Sequence, residues 1–510
     1  MNKIFTLSLL LTFVSMGLFA QQRYIDQVFT DVEVTTDEIY GVNATVLALP
    51  QVGEAIPQPL VMNIYEPAGD TLEERPVVIY FHTGNFLPHP ENGSPSGRRS
   101  DSTVVEIANR LAKMGYVCAV ATYRQGWNPI ASSQEERVFT LINAAYRGVQ
   151  DARTAVKFFK RDHAEFGNRF GIDPDKFVIW GQGTGGYISL NAASLDEYIE
   201  IPLTPGGKFL AEIGGMPVPM VIEAVNGDIN CDSVGVTFPG YPGFPAGDTL
   251  NYPNHVGYSG DFQLAVNMGG ALGDTSWVDP DQPPVISYHV PTDPFAPYVV
   301  GLVIVPGFNL PVVEVFGSYT MQQLAARYDL NAAFAGEMYD NDNSEVANAK
   351  NDGYDGLFPL IGTGGPNDSA PWEWWNSNTN PNHDNGIATN PDMSAEKGRR
   401  YIDTIMAYYA PRACQVLGLE CGLSSVRQVE AEDVITAAPV PAVDQIRVES
   451  KDGSNMRTLH IYDMQGRLLQ AEEGINSTVH IVRRNQLPNG QYIMRVFFED
   501  KVTSQFVLFQ

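Results

Sequence analysis

The segment Phe177-Val178-Ile179-Trp180-Gly181-Gln182-Gly183-Thr184-Gly185-Gly186 constrains the fold of this 510-residue chain more than any other stretch. An apolar strand runs into a glycine-rich turn and then into a helix. From about residue 28 onward the chain repeats that alternation. Residues 76–81 and 117–121 read as short apolar strands, and residues 103–114 have helical spacing up to Gly115, a suitable C-cap. A long amphipathic helix is expected within residues 139–166, and core strands at 267–272 and 284–288. A final helix is expected at 398–409, closed by Pro411. Strands alternating with helices predict an α/β protein with a mostly parallel sheet.

Hydrophobic residues make up 44% of the chain and charged residues 18%, the balance of an ordered globular protein with room for two or more domains. A net charge of −27 argues against nucleic acid or an anionic membrane as partner. Lys3, an apolar run to Phe19 and then Ala20 predict a cleaved signal peptide over residues 1–20. No later stretch is long and apolar enough for a transmembrane span, so a soluble protein, secreted or at the cell surface, is expected. Cys414 and Cys421 are close enough for a small disulfide loop, which suits that compartment. Cys118 lies in an apolar run and reads as a free core thiol, and Cys231 sits in a polar loop with its state open.

Two stretches break the alternation. Residues 201–266 are rich in Gly, Pro and Asn, as a lid over a pocket would be, and residues 339–392 in Asn, Asp, Gly and Trp. Both are candidate binding surfaces. A composition break follows at Ala437-Ala438-Pro439-Val440-Pro441. From residue 441 on, eight acidic residues balance eight basic ones, so the acidic excess lies upstream. Thr458-Leu459-His460-Ile461-Tyr462-Asp463, Thr478-Val479-His480-Ile481-Val482 and Tyr492-Ile493-Met494-Arg495-Val496-Phe497 alternate at strand period. Turns at Gln465-Gly466 and Asn489-Gly490 separate such runs, which predicts a small all-β sandwich. The expected organisation is a signal peptide (1–20), an α/β body (21–415), a linker (416–440) and the β module (441–510).

Several motifs in the body resemble the carboxylesterase/lipase branch of the α/β-hydrolases. They are Leu60-Val61-Met62-Asn63-Ile64-Tyr65-Glu66-Pro67, the hexad Phe81-His82-Thr83-Gly84-Asn85-Phe86, Ala121-Thr122-Tyr123-Arg124 and Gly171-Ile172-Asp173-Pro174. The helical segment beginning Tyr146-Arg147-Gly148-Val149-Gln150-Asp151 belongs to the same set. The resemblance implies an α/β-hydrolase fold, with the hexad as the oxyanion loop and Gly181-Gln182-Gly183-Thr184-Gly185 as the nucleophile elbow. The β module resembles the C-terminal sorting domain of the type IX secretion system, through Ile461-Tyr462-Asp463, Gly466-Arg467 and Leu487-Pro488-Asn489-Gly490-Gln491-Tyr492. That implies the type IX machinery as a partner, with surface attachment or release.

Acyl transfer on this fold needs a nucleophile, an acid and a histidine base in that order along the chain. The resemblance puts Gly183, which has no side chain, at the nucleophile position. It puts Asp293 at the acid position, in the loop after residues 284–288, and His383 at the base position upstream of the final helix. Gly84, Asn85 and Thr184 are the oxyanion and elbow residues, with Thr83 and Asn85 standing where the family carries glycine. The hydroxyl of Thr184, displaced by one residue, is expected to point elsewhere. His82 is expected to be structural, and Trp372, Trp374 and Trp375 to wall the pocket. Asp228-Ile229-Asn230-Cys231-Asp232 begins like a calcium loop but lacks the glycine and the bidentate Glu, so no metal or cofactor is expected. Two functions follow as expectations. One is a pseudo-hydrolase that binds a small-molecule ester, a cell-surface ligand or another protein. The other is an ester hydrolase in which His383, backed by Asp293, activates water directly.

Overall fold

The structure is a computed structural model. It describes residues 22–510 apart from 214, 306–307, 335–341, 363–364, 420, 422–426, 431–433, 463–467, 486 and 499–500. The expected signal peptide, the Gln465-Gly466 turn and much of the expected linker lie outside the described residues.

Eight strands form the body's sheet: β1 (Val32–Thr45), β2 (Ile56–Pro67), β3 (Arg75–Phe81), β4 (Val117–Ala121), β5 (Ile172–Gln182), β6 (Leu264–Met268), β7 (Val285–His289) and β8 (Leu357–Pro359). Their spatial order is β1-β2-β4-β3-β5-β6-β7-β8. Only β1 and β2 run antiparallel to their neighbours. From β4 to β8 every pairing is parallel. This strand order is that of the α/β-hydrolase fold.

The central strands are near-continuous apolar runs because both faces are covered. In β3, Val77, Ile79 and Phe81 join one core and Val78 and Tyr80 the other. The first face is packed by α2 (Gln134–Glu165) and α3 (Thr184–Ser194), the second by α1 (Ser102–Met114) and α5 (Ala395–Val416). A further helix, α4 (Ser318–Tyr328), adds Met321 and Ala325 to the first core.

Several boundaries differ from the sequence reading. The helix α2 begins at Gln134, because the Ser133 hydroxyl caps the Glu136 amide. The strand expected over 267–272 ends at Met268, where the Asn267 carboxamide accepts the Gly270 amide and turns the chain. Pro411 does not close the last helix, which continues to Val416. One missing N–H is outweighed there by burial of Tyr408, Tyr409, Ala413 and Cys414 around it. Cys414 is disulfide-bonded to Cys421, while Cys118 and Cys231 are free and buried.

Beyond the body lie a five-stranded sheet and a three-stranded sheet that share one apolar core containing Ile446, Leu459, Met494 and Phe509. This is a β-sandwich. Its pairing includes Arg427–Glu430 and Ile435–Ala438, upstream of residue 441.

Candidate functional site

In an open parallel sheet the loops at the carboxyl ends of the strands are the ones free to build a site. Here the loops after β3, β5, β6, β7 and β8 converge on one cavity of about 700 Å³. Its wall includes Thr83, Asn85, Gly183, Thr184, Asp293 and Glu373.

The turn between β5 and α3 is made by Gly183, at φ 51° and ψ −115°. Residues with a Cβ avoid this backbone conformation, and glycine holds it without strain. Two residues on, Gly185 lets α3 pack on β3, since a Cβ there would lie 2.0 Å from the Phe81 carbonyl oxygen. A Cβ on Gly183 would lie 2.2 Å from Thr83 Oγ1 and 2.9 Å from Thr83 Cβ. The Thr83 side chain thus fills the space above the turn that a side chain on residue 183 would need.

The loop carrying Thr83 is held from three sides. His82 Nδ1 donates to the Thr83 carbonyl oxygen at 2.6 Å, and the Tyr123 hydroxyl donates to the same oxygen at 3.2 Å. Burial holds His82 down at about 4, so it stays neutral and serves the backbone. Gly84, Asn85 and Phe86 all have positive φ, at 133°, 56° and 54°. The Asn85 amide donates to Thr184 Oγ1 at 2.6 Å, so the Thr184 hydroxyl bridges the turn to this loop.

Asp293 lies in the loop after β7. Its Oδ1 accepts the amides of Phe295 at 2.7 Å and Ala296 at 3.3 Å, and the Ser369 side chain also hydrogen-bonds it. Asp293 is half-buried on the cavity wall, and loss of solvent around its carboxyl pushes it up to about 7. His289, at the end of β7, steadies this loop: Nε2 donates to the Ala296 carbonyl at 3.1 Å, and Nδ1 accepts from the Ser318 hydroxyl at 2.7 Å.

His383 begins a five-residue helical turn, His383–Ile387. Its Nδ1 accepts the indole N–H of Trp375 at 3.1 Å. The following Asp384, Asn385 and Gly386 line the cavity, but among the described residues no histidine does. Gly183 and Asp293 therefore share the cavity wall, and His383 is not among its lining residues. Trp372 and Trp375 are wall residues, whereas Trp374 packs on Gly398 and under the Arg399 guanidinium.

Three features escaped the sequence reading. The first is Glu373, whose Oε1 accepts the Gln182 carboxamide at 2.7 Å while the Gln182 oxygen accepts the Tyr80 hydroxyl at 2.6 Å. Burial, with the nearby Asp101 carboxylate adding to it, pushes Glu373 up to about 8. A carboxylate set among three tryptophans in sequence is itself a signal. The second is the hairpin Val300–Val305/Leu310–Phe316, which supplies Val303, Val313 and Val315 to the wall. The third is the seam that closes the far side: Asn380, Asn382 and Asn385 donate side-chain N–H groups to the carbonyls of Pro95, of Pro90 and Ser94, and of Gly93. The asparagine-rich stretch is thereby explained as loop-to-loop stitching.

The chain is similar in part to several known proteins. Over 222 residues the chain is 26% identical to secreted lipase 5 of Gibberella zeae, covering 40% of this chain and 36% of that one. It thus spans about a third of the length of this curated relative. Esterase 2 of Thermogutta terrifontis with propionate bound is 15% identical, with a TM-score of 0.33 over 74% of this chain and 95% of that one. Esterase B of Lactobacillus rhamnosis is 20% identical, with a TM-score of 0.21 over 35% of this chain and 44% of that one. Residues 436–510 match the family model of the secretion system C-terminal sorting domain. The chain thus joins a body of α/β-hydrolase fold to a sorting module that marks an exported protein.

Proposed function

We propose that the body is a ligand-binding pseudo-hydrolase, exported by type IX secretion, that uses the hydrolase cavity without acyl-transfer chemistry. The observation that carries this reading is the pairing of Gly183 with Thr83: the elbow has no side chain, and a neighbouring side chain fills the vacated space. Two further observations support it. Asp293, at the acid position, is held by two backbone amides and Ser369 rather than by a histidine. His383 takes its hydrogen bond from Trp375. Activation of water by His383 and Asp293 would require the two to share a site. The cavity itself is open and largely apolar in its lining, as a binding protein needs.

The test is hydrolysis of p-nitrophenyl butyrate by the mature protein beside the triple variant Thr83→Gly/Gly183→Ser/Ser369→His. The variant clears the slot, restores a nucleophile and puts a base within reach of Asp293. Wild type is expected to stay at the buffer rate and the triple variant to rise above it. Wild-type turnover that disappears in His383→Ala would overturn the reading and establish the water mechanism.

A further inference from the structure

Resting on that reading of the cavity as a binding site, we infer that its ligand is an organic cation, a primary or secondary ammonium group on an apolar body. Four acidic side chains line the cavity, Glu91, Asp293, Glu373 and Asp384, and among its described lining residues there is no Lys, Arg or His. Glu91 and Asp384 are exposed and belong to the two loops stitched by the asparagine seam. Asp293 and Glu373 lie deeper.

Among the described residues, no basic group bears on the deeper pair. The groups bearing on Asp293 are two amides and the Ser369 hydroxyl. Those bearing on Glu373 are Ser96, Gln182 and two other carboxyls. A carboxylate accepts about four hydrogen bonds, so each retains acceptor capacity. The second oxygen of Asp293 faces the cavity wall beside Trp372: a Cβ on Gly269 would lie 3.5 Å from Oδ2 and 3.7 Å from the indole edge. The Tyr187 hydroxyl, within the field of Asp293, is buried without a hydrogen-bond partner, and its oxygen can accept an N–H. Polar groups left unsatisfied in this way are costly unless a ligand completes them.

An ammonium group supplies what is missing, a positive charge together with N–H donors for two carboxyls. Trp127, Trp372 and Trp375 line the cavity and accept an apolar body. A carboxylate or phosphate ligand would instead bring like charge into an acidic, poorly solvated space. The long-range field acts in the same direction. The module from residue 441 balances eight acids with eight bases, so the acidic excess lies upstream of it and draws cations toward the mouth.

The experiment is calorimetric titration of the mature full chain with decylamine, decan-1-ol and decanoate at one ionic strength and at about pH 9, above the values of about 7 and about 8 at which Asp293 and Glu373 release their protons. Decylamine is expected to bind about tenfold more tightly than the alcohol and about a hundredfold more tightly than decanoate. Glu373→Gln and Asp293→Asn are each expected to weaken decylamine about tenfold and to weaken the alcohol less. Equal affinities, or a preference for decanoate, would overturn the inference while the binding reading stands. Absence of binding by all three would overturn it as well. Should either variant fail to fold, the ranking of the three ligands on the unaltered protein decides alone. Ester turnover would sink the pseudo-hydrolase reading without altering that ranking.

Discussion

Restoring a serine at the elbow is the obvious repair, and the geometry says that alone it will damage the protein. Gly183→Ser places a residue with a Cβ at φ 51° and ψ −115°, which costs about 1–3 kcal/mol. It also drives that Cβ to 2.2 Å from Thr83 Oγ1 and 2.9 Å from Thr83 Cβ. Thr83 cannot yield freely, because its carbonyl is held by His82 and Tyr123. Overpacking of this kind costs about 1–3 kcal/mol more. Thr83→Gly alone should cost about 1 kcal/mol through backbone entropy. In the double variant the overlap vanishes while the backbone strain remains. The two substitutions are therefore expected to couple favourably by about 1–3 kcal/mol, the double variant being more stable than the sum of the singles. Urea unfolding of wild type, both singles and the double, followed by the fluorescence of buried Trp180, closes the cycle. Additivity within about 0.5 kcal/mol would refute the claim that Thr83 occupies the nucleophile's space.

Two other outcomes follow from groups already described. Asp293 and Glu373 have folded-state values of about 7 and about 8, raised from 3.8 and 4.5. Between about pH 4 and pH 8 the folded protein thus binds more protons than the unfolded chain, and stability should fall by a few kcal/mol as pH rises through that window. Asp293→Asn and Glu373→Gln should each flatten this slope in melts recorded from pH 5 to pH 8, and an unchanged slope would show that neither carboxyl is held protonated. Asp151→Asn should cost about 3–5 kcal/mol in urea unfolding. Arg124, itself fully buried, donates to Asp151 from its backbone amide at 2.6 Å and from Nε at 2.8 Å. A loss below about 1 kcal/mol would mean that water reaches the pair.

The body's sheet was legible because its strands are local signals. Residues 77–81 and 117–121 are apolar without interruption, and the glycines after Trp180 announce a turn whatever surrounds them. Asp293 could be named because it follows such a strand at short distance. What could not be read are relations across the chain. Nothing near Gly183 reveals that Thr83, a hundred residues earlier, fills its slot. The same holds for Glu373, bound to Gln182 across 191 positions. His383 was named from chain order alone, and nothing in the sequence signals that its Nδ1 accepts the indole N–H of Trp375. The hairpin Val300–Val305/Leu310–Phe316 was missed because its strands carry no strict alternation and merge with the loop before them.

The Cys414–Cys421 bond ties the end of α5 back on itself before the chain enters the sorting module. A protease that removes the module beyond Cys421 would meet a body already sealed at its exit. Tyr408, Tyr409 and Ala413 would stay pinned in the core, and no free helix end would be left to unravel. Every described residue that lines the cavity lies upstream of Cys414, so the cavity draws no part of its wall from the module.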